Sequence, residues 1–229
     1  MVRARHTRAE IQAKALEIVD REGLRGLTMR SLADALGTGP MTLYNYVRDR
    51  EGIEELVVDA VIASGRFPRR SPDWERDVTG IATAMWRALR AHPAAIPLVL
   101  TRRSASPESY APADALIEAL GRAGLEQYEL LAAFRAVLAF VMGAAQAEHA
   151  GPLAGSRRDA QSREAARRIG LMAGADYPHV AALSQVARRS TAAADFKRGL
   201  EMLLHGIRSQ AIPEPTGGGS TADMKDVRH

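Results

Sequence analysis

The chain has 229 residues, of which 46% are hydrophobic, 25% charged and only 5% aromatic, so alanine and leucine must fill most of the core and helices are favoured over strands. It contains no cysteine, which excludes disulfides, thiolate zinc sites, iron–sulfur clusters and cysteine nucleophiles. The formal net charge of +4 excludes a polycation, so any nucleic-acid-binding surface must be a local basic patch.

Four helices are predicted in the first 65 residues. Thr7 and Glu10 can form a capping box that starts the first helix, and Gly23 ends it. Thr28 is a suitable N-cap for the second helix. Pro40 suits the first turn of the third, because its missing N–H has no helical partner there. The predicted spans of the second, third and fourth helices are 29–36, 40–46 and 49–65.

The rest of the chain is also predicted to be helical, with no convincing strand and no internal repeat. Residues 66–73 have the composition of a linker, and the chain from 213 onward has a Gly-Gly-Gly-Ser run and no apolar cluster, which predicts a disordered tail. The predicted fold class is therefore all-α. The chain is predicted to have four parts: an N-terminal domain over 1–50, a connecting helix over 51–65, a larger C-terminal helical domain over 66–212 and the disordered tail over 213–229. The predicted helices are 73–92, 94–102, 113–123, 125–150, 162–171, 179–188 and 192–210.

Several functional classes lack a supporting motif. The longest uncharged apolar stretch, 136–147, is too short to cross a bilayer, and the N-terminus lacks the apolar segment of a signal peptide, so a soluble cytoplasmic protein without membrane contact is expected. No nucleophile elbow, phosphate loop, dinucleotide turn or H-E-x-x-H motif is present, so neither catalysis nor a cofactor is expected. The histidines have no spacing that completes a metal site with a carboxylate.

Residues 27–56 have the pattern of a helix-turn-helix, because two short helices joined by a tight Gly37-Thr38-Gly39 turn follow a longer helix. The second short helix would bury Leu43 and Val47 and expose its other face. The exposed types suit DNA, since asparagine can pair with an adenine edge and methionine can touch a thymine methyl group. Residues 1–50 also carry a net charge of +3. The exposed face comprises Met41, Thr42, Tyr44, Asn45 and Tyr46, and the surrounding basic residues are Arg3, Arg5, Arg8, Arg30, Arg48 and Arg50.

Three segments, Leu27-Thr-Met-Arg-Ser-Leu-Ala-Asp-Ala-Leu-Gly37, Met41-Thr-Leu-Tyr-Asn-Tyr-Val47 and Asp49-Arg-Glu-Gly-Ile53, make this region similar to the DNA-binding domain of TetR-family transcriptional repressors. Gly39-Pro40-Met41 and Arg90-Ala-His-Pro93 look closest to the tetracycline-repressor branch. The resemblance implies a homodimer on a pseudo-palindromic operator in double-stranded DNA, released by a small-molecule effector. It assigns phosphate contacts to Thr28, Thr42, Tyr44 and Arg50, and places Thr38, Gly39, Pro40, Met41, Asn45 and Tyr46 at the major groove.

The long helix predicted over 125–150 carries a stripe of small residues that allows close approach of another helix. Packing inside one subunit is one interpretation, and a dimer interface is the other. The resemblance favours the interface, since TetR proteins dimerise through their last long helices, two from each subunit. The predicted interface residues are Ala132, Ala136, Ala139, Gly143 and Ala147 on this helix and Phe196, Leu200, Leu203 and Ile207 on the last one.

Bulky side chains in the same region either form plain core or line a cavity for an effector. The candidates for a cavity are Met85, Trp86, Tyr110, Tyr128, Phe134, Leu138, Met142 and His149. A regulator whose core is filled, and which binds DNA without a small ligand, is the alternative to an effector-released repressor. A cavity in the C-terminal domain would distinguish the two.

Overall fold

The structure is a computed structural model that describes residues 6–102, 106–150 and 159–211. The basic residues Arg3 and Arg5 and the predicted tail 213–229 lie outside these ranges. The described chain is helical throughout, with no strand, which confirms the all-α prediction. Its α-helices are α1 (Arg8–Glu22), α2 (Met29–Ala35), α3 (Pro40–Leu43), α4 (Arg50–Ser64), α5 (Trp74–Ala91), α6 (Ile96–Thr101), α7 (Ala111–Gly121), α8 (Gln127–Ala150), α9 (Asp159–Ala173), α10 (Pro178–Ala187) and α11 (Ala192–Ala211).

Two 3₁₀ turns lie in the C-terminal part, η1 (Pro93–Ala95) and η2 (Pro107–Tyr110). The helix predicted over 94–102 is thus a 3₁₀ turn followed by a short α-helix. Pro93 and Pro97 both lie near its start, where a proline needs no helical hydrogen-bond partner. The η2 turn lies in what was predicted to be a loop over 103–112.

Local sequence signals explain the ends of the N-terminal helices. The Thr7 hydroxyl accepts from the Glu10 N–H at 3.2 Å and the Glu10 carboxylate accepts from the Thr7 N–H at 2.8 Å, so the predicted capping box is present. After α2, Gly37 adopts a φ of 63°, and the Thr38 N–H donates to the Ala33 carbonyl at 3.0 Å. This left-handed glycine closes a Schellman motif and turns the chain sharply into α3.

The second short helix of the helix-turn-helix, α3, which we call the recognition helix, is shorter than predicted. It is α-helical only over Pro40–Leu43, and Tyr44 to Tyr46 form a turn. In that turn the N–H groups of Asn45 and Tyr46 donate to carbonyls three residues back, a 3₁₀ pattern. The chain keeps its helical course to Val47, whose N–H donates to the Leu43 carbonyl at 3.1 Å.

Helices α1, α2, α3 and the first half of α4 enclose a small apolar core, and we call this unit the head. The predicted Leu43 and Val47 are both among its buried side chains. Its largest fully buried side chains are Ile11, Ile18, Val19, Leu27, Leu32, Leu43, Ile53 and Leu56.

The C-terminal domain is built around α8, which packs against α5, α7 and α11. Trp86 of α5 stacks on Phe196 of α11 with ring centroids 4.3 Å apart, and Phe140 of α8 contacts the same ring at 5.4 Å. The aromatic contact thus joins the three longest helices of this domain in one core.

This packing corrects part of the predicted dimer interface. Phe196, Leu200 and Ile207 are buried within the single chain, where they contribute to the core beneath α8, so they cannot form the stripe that α11 offers to a partner. Leu203 is half-buried. On α8 the small stripe remains accessible: Ala132, Ala139, Gly143 and Ala147 are exposed and Ala136 is half-buried.

Two further features leave apolar surface uncovered in one chain. The span Gln127–Glu148 of α8 is long and apolar enough to cross a membrane, by length and composition only. Core helices of soluble proteins can meet the same criteria. Within this chain, 22% of its most apolar stretch is buried. The span exceeds the uncharged stretch 136–147 because it extends past Arg135. Helices α9 and α10 pack mainly against each other and expose Leu171, Met172, Leu183 and Val186.

Candidate DNA-binding surface

The recognition face of α3 and its following turn is anchored from below and open above. Leu43 and Val47 are 1% and 6% exposed and fix the segment on the head core. Met41 is 79% exposed and Tyr44 48%, and Asn45 is exposed as well. Direct contact with base edges requires exposed side chains on a backbone that is held in place by buried ones, and this segment has both.

The remaining predicted groove residues border this face. Gly39 and Pro40 are exposed at the entry to α3, while Thr38 and Thr42 are half-buried. Tyr46 is half-buried too, and its ring packs against the head core. The structure thus brings together all the residues predicted to face the groove, with Tyr46 contributing to packing as well.

The start of α2 provides a second part of the surface. Thr28 is exposed, and its hydroxyl accepts from the Ser31 N–H at 3.0 Å in a capping arrangement. Arg30 in the first turn is 89% exposed and lies 4.0 Å from Asp34, a contact that costs little to break. These two residues remain candidates for phosphate contacts.

Arg50, predicted to contact a phosphate, is 57% exposed and also makes contacts within the chain. Its Nε donates to Glu54 at 2.9 Å, and its two terminal nitrogens donate to the carbonyls of Leu27 and Leu24 at 3.3 and 3.4 Å. These contacts hold the start of α4 against the loop between α1 and α2. Arg50 thus helps to position the head, and its contact with a phosphate stays a prediction.

Arg8 is likewise engaged within the chain. Its guanidinium lies 3.1 Å from the carboxylate of Asp59, which is 2% exposed. Sequence reasoning missed Asp59 and the similarly buried Glu54. The available signal was their position, because each acidic residue interrupts an apolar run on α4, and buried carboxylates need partners.

The head meets the C-terminal domain through polar contacts from three elements. His92, before η1, places its Nδ1 atom 2.7 Å from the Asp20 carboxylate of α1. Arg102, after α6, donates to Glu54 at 3.0 Å and to Glu51 at 2.8 Å. The third contact comes from η2, where the Ser109 hydroxyl donates to Asp59 at 2.9 Å.

The predicted effector-pocket residues do not form one group. Trp86 is buried, whereas Tyr110 and Tyr128 are 59% and 81% exposed, so these tyrosines cannot line a cavity inside one chain. Met85, Phe134, Leu138 and Met142 are half-buried, and the side chain of His149 lies outside the described part.

A polar cluster lies next to Trp86. The Arg90 guanidinium is 4.5 Å from the Trp86 ring centroid and 2.6 Å from a carboxylate oxygen of Glu148, which is 5% exposed. The Trp86 Nε1 atom and the second Glu148 oxygen are buried without a hydrogen-bond partner in the described chain. Unpaired buried polar atoms are costly and call for an explanation.

Two clefts border the junction between the head and the C-terminal domain. One, of about 930 Å³, is an open groove along α5 and the end of α4, lined by three arginines (Arg66, Arg76 and Arg87) among other residues. The other, of about 440 Å³, lies between α1, α4 and η2, and Asp59 and Ser109 are in its wall. Neither cleft is lined by the side chains predicted for the effector pocket.

Comparison with known proteins agrees with this architecture. The family model of the tetracycline-repressor-like C-terminal domain matches residues 67–211. An HTH-type transcriptional regulator of Saccharopolyspora erythraea is 34% identical over 213 residues, covering 90% of this chain and 86% of the relative. The HTH-type transcriptional repressor DrrR1 of Streptomyces coeruleorubidus is 28% identical over 214 residues, covering 84% of this chain and 74% of the relative.

Solved structures show the same fold. Apo ActR from Streptomyces coelicolor matches with a TM-score of 0.75 at 25% identity, covering 92% of this chain and 98% of ActR. The expectation that the protein is a regulator and not an enzyme is confirmed by these relatives. The chain belongs to the TetR family of helix-turn-helix transcriptional regulators.

Proposed function

We propose that the protein is a homodimeric repressor that binds a pseudo-palindromic operator through α3 and leaves it when a small molecule binds in the C-terminal domain. The observation that carries DNA reading is the exposed face of Met41, Tyr44 and Asn45, held rigidly by Leu43 and Val47. Thr28 and Arg30, both exposed at the start of α2, would contact phosphates. The chain is divided at 1–50, 51–65 and 66–212, with α4 shared between head and C-terminal domain.

The dimer is proposed from surface that one chain leaves uncovered. The exposed small residues Ala132, Ala139, Gly143 and Ala147 follow one face of α8, so a partner helix can approach its backbone closely. Met202 of α11, 64% exposed, lies on the face of that helix turned away from its own core. Covering α8 in this way accounts for its apolar length in a protein that we place in the cytoplasm. Two-fold symmetry would set two recognition segments roughly 34 Å apart, one helical turn of DNA.

Control by a small molecule is proposed from the polar cluster in the C-terminal domain. A ligand that accepts from Trp86 Nε1 and donates to Glu148 would satisfy both unpaired atoms. Related structures give support, since ActR of Streptomyces coelicolor has been crystallised with actinorhodin and with (S)-DNPA. A ligand can release DNA only by binding one conformation more tightly than the other.

Selection of bound duplexes from a random pool at a fixed salt concentration tests DNA reading. The wild-type protein should enrich an inverted repeat, and Asn45→Ala should enrich a repeat altered at the same position of each half-site, because one base contact is lost. Arg167→Ala, an exposed change on α9, should return the wild-type sequence. Native mass spectrometry shows whether the purified protein is free of ligand. If ligand-free protein enriches no sequence, the proposal is contradicted.

A further inference from the structure

Glu54 of α4 is held from both sides of the domain junction. It is 7% exposed, and its two carboxylate oxygens accept from Arg50 and Arg102 at 2.9 and 3.0 Å. Arg50 simultaneously holds two carbonyls of the loop between α1 and α2, whereas Arg102 follows α6 in the C-terminal domain. One buried carboxylate therefore links the helix-turn-helix to α6.

Asp59, five residues further along α4, repeats this arrangement with other partners. It is 2% exposed, and one of its oxygens accepts from Arg8 and Gln12 of α1 at 3.1 and 3.2 Å. The other oxygen accepts from the Ser109 hydroxyl of η2 at 2.9 Å. Here again one buried carboxylate binds the head with one oxygen and the C-terminal domain with the other.

A surface cleft lies beside Asp59, next to the apolar core that α4 shares with the C-terminal domain. The cleft of about 440 Å³ between α1, α4 and η2 has Asp59, Gln12 and Ser109 in its wall. Apolar packing alone does not fix an angle between two units, whereas directed hydrogen bonds to buried carboxylates do, because each such carboxylate is costly to leave unpaired.

We propose that Glu54 and Asp59 form a two-point clasp that fixes the orientation of the head on the C-terminal domain, and that Arg102 and Ser109 are positioning residues for operator binding. Neither Arg102 nor Ser109 belongs to the DNA-reading surface. The inference deepens the proposed function and rests on it, since an oriented head matters for a dimer that must fit two half-sites. Loosening the clasp lowers the fraction of molecules with the correct head orientation, and the apparent affinity falls with that fraction.

Pulsed electron–electron double resonance tests the clasp without DNA. Because the chain has no cysteine of its own, spin labels attach only at introduced cysteines. Spin labels at Ala35→Cys on α2 and Glu126→Cys before α8, both exposed positions, report the distance from head to C-terminal domain. Dilution with excess unlabelled chain restricts the signal to distances within one chain. The Arg102→Gln/Ser109→Ala variant is compared with the wild-type sequence and with Arg70→Gln, which removes an exposed ion pair inside the C-terminal domain.

The clasp predicts a narrow distance distribution for the wild type and Arg70→Gln, and a distribution visibly broader for Arg102→Gln/Ser109→Ala. Operator affinity of that variant should fall roughly tenfold, measured at a temperature at which circular dichroism shows that all three proteins are folded. Distributions of equal width would overturn the clasp even if operator binding is normal. Failure of the wild type to select any duplex would instead refute the proposed function and leave the distance comparison to decide on the clasp.

Discussion

The arginines near the recognition surface differ in what they can contact. Arg30 is almost fully exposed, whereas Arg8 and Arg50 are held by buried carboxylates of α4. The sequence predicted which side chains of α3 face outward, because burial of Leu43 and Val47 follows from helical spacing alone. It did not predict which arginines are free, since the partner of Arg8 is 51 residues away along the chain.

Arg50→Gln therefore tests a positioning role against a phosphate contact. We expect weaker operator binding with an unchanged slope of log affinity against log salt, because no phosphate charge is lost. Arg30→Gln should instead weaken binding to all duplexes and reduce the slope by about two, because the dimer loses one phosphate contact in each subunit. Fluorescence anisotropy titrations at several salt concentrations measure both quantities. A reduced slope for Arg50→Gln would instead support its predicted phosphate contact.

At the scale of elements, helix positions were predicted well where caps and prolines mark their ends. The capping box of α1 and the end of α2 at Gly37 are present as predicted. The last turn of the recognition helix is 3₁₀ instead of α, and η2 lies within a predicted loop. Both departures occur in short segments whose geometry is set by packing on neighbouring helices, which local sequence does not encode.

The start of α5 is fixed by a buried carboxylate that gives stability a pH dependence. Asp77, 4% exposed, accepts from the N–H and hydroxyl of Ser71 and pairs with Arg122 after α7. Burial acts to raise the pKa of Asp77, but the hydrogen bonds from Ser71 and then the Arg122 guanidinium outweigh it, so its pKa lies below the ordinary value of 3.8. The folded state thus favours the charged form of Asp77.

Asp77→Asn should lower the free energy of unfolding by about 3 kcal/mol at pH 7. Because the folded-state pKa is depressed, the charged carboxylate stabilises fully above pH 3.8, and this contribution disappears as pH falls through the folded-state pKa. Urea unfolding at several pH values should show the gap from wild type narrowing in acid. Asp114→Asn, an exposed change on α7, serves as the control. A gap that stays constant or widens below pH 3.8 would contradict this assignment.

For the whole molecule, the C-terminal domain was predicted less completely than the head. Small residues on α8 are exposed as a stripe suited to a partner, but the apolar stripe of α11 is core because Phe196 stacks on Trp86. A helix pattern identifies an apolar face without revealing whether its own chain or a second chain covers it. The exposed Tyr110 and Tyr128 illustrate the same limit for the predicted pocket.

A substitution at Gly143 can distinguish packing inside one chain from packing against a second chain. A Cβ atom added there meets nothing within 4 Å in the single chain, so Gly143→Leu should leave the fold intact. In the proposed interface the same side chain would hold the partner helix away, and we expect the dimer dissociation constant to rise at least tenfold. Gly121→Leu, also without neighbours within 4 Å, is the matched control. Analytical ultracentrifugation measures the effect, and an undisturbed dimer would exclude Gly143 from the interface.

The central claim is that two recognition segments occupy successive major grooves of one operator. An iron chelate attached to Arg48→Cys, an exposed position just beyond α3, cleaves DNA wherever that segment lies. On the selected duplex we predict two cleavage centres, one in each half-site and roughly 10 base pairs apart. A chelate on Met172→Cys of α9, which is 85% exposed, should give none. A single centre, or the same pattern from both labels, would contradict the account.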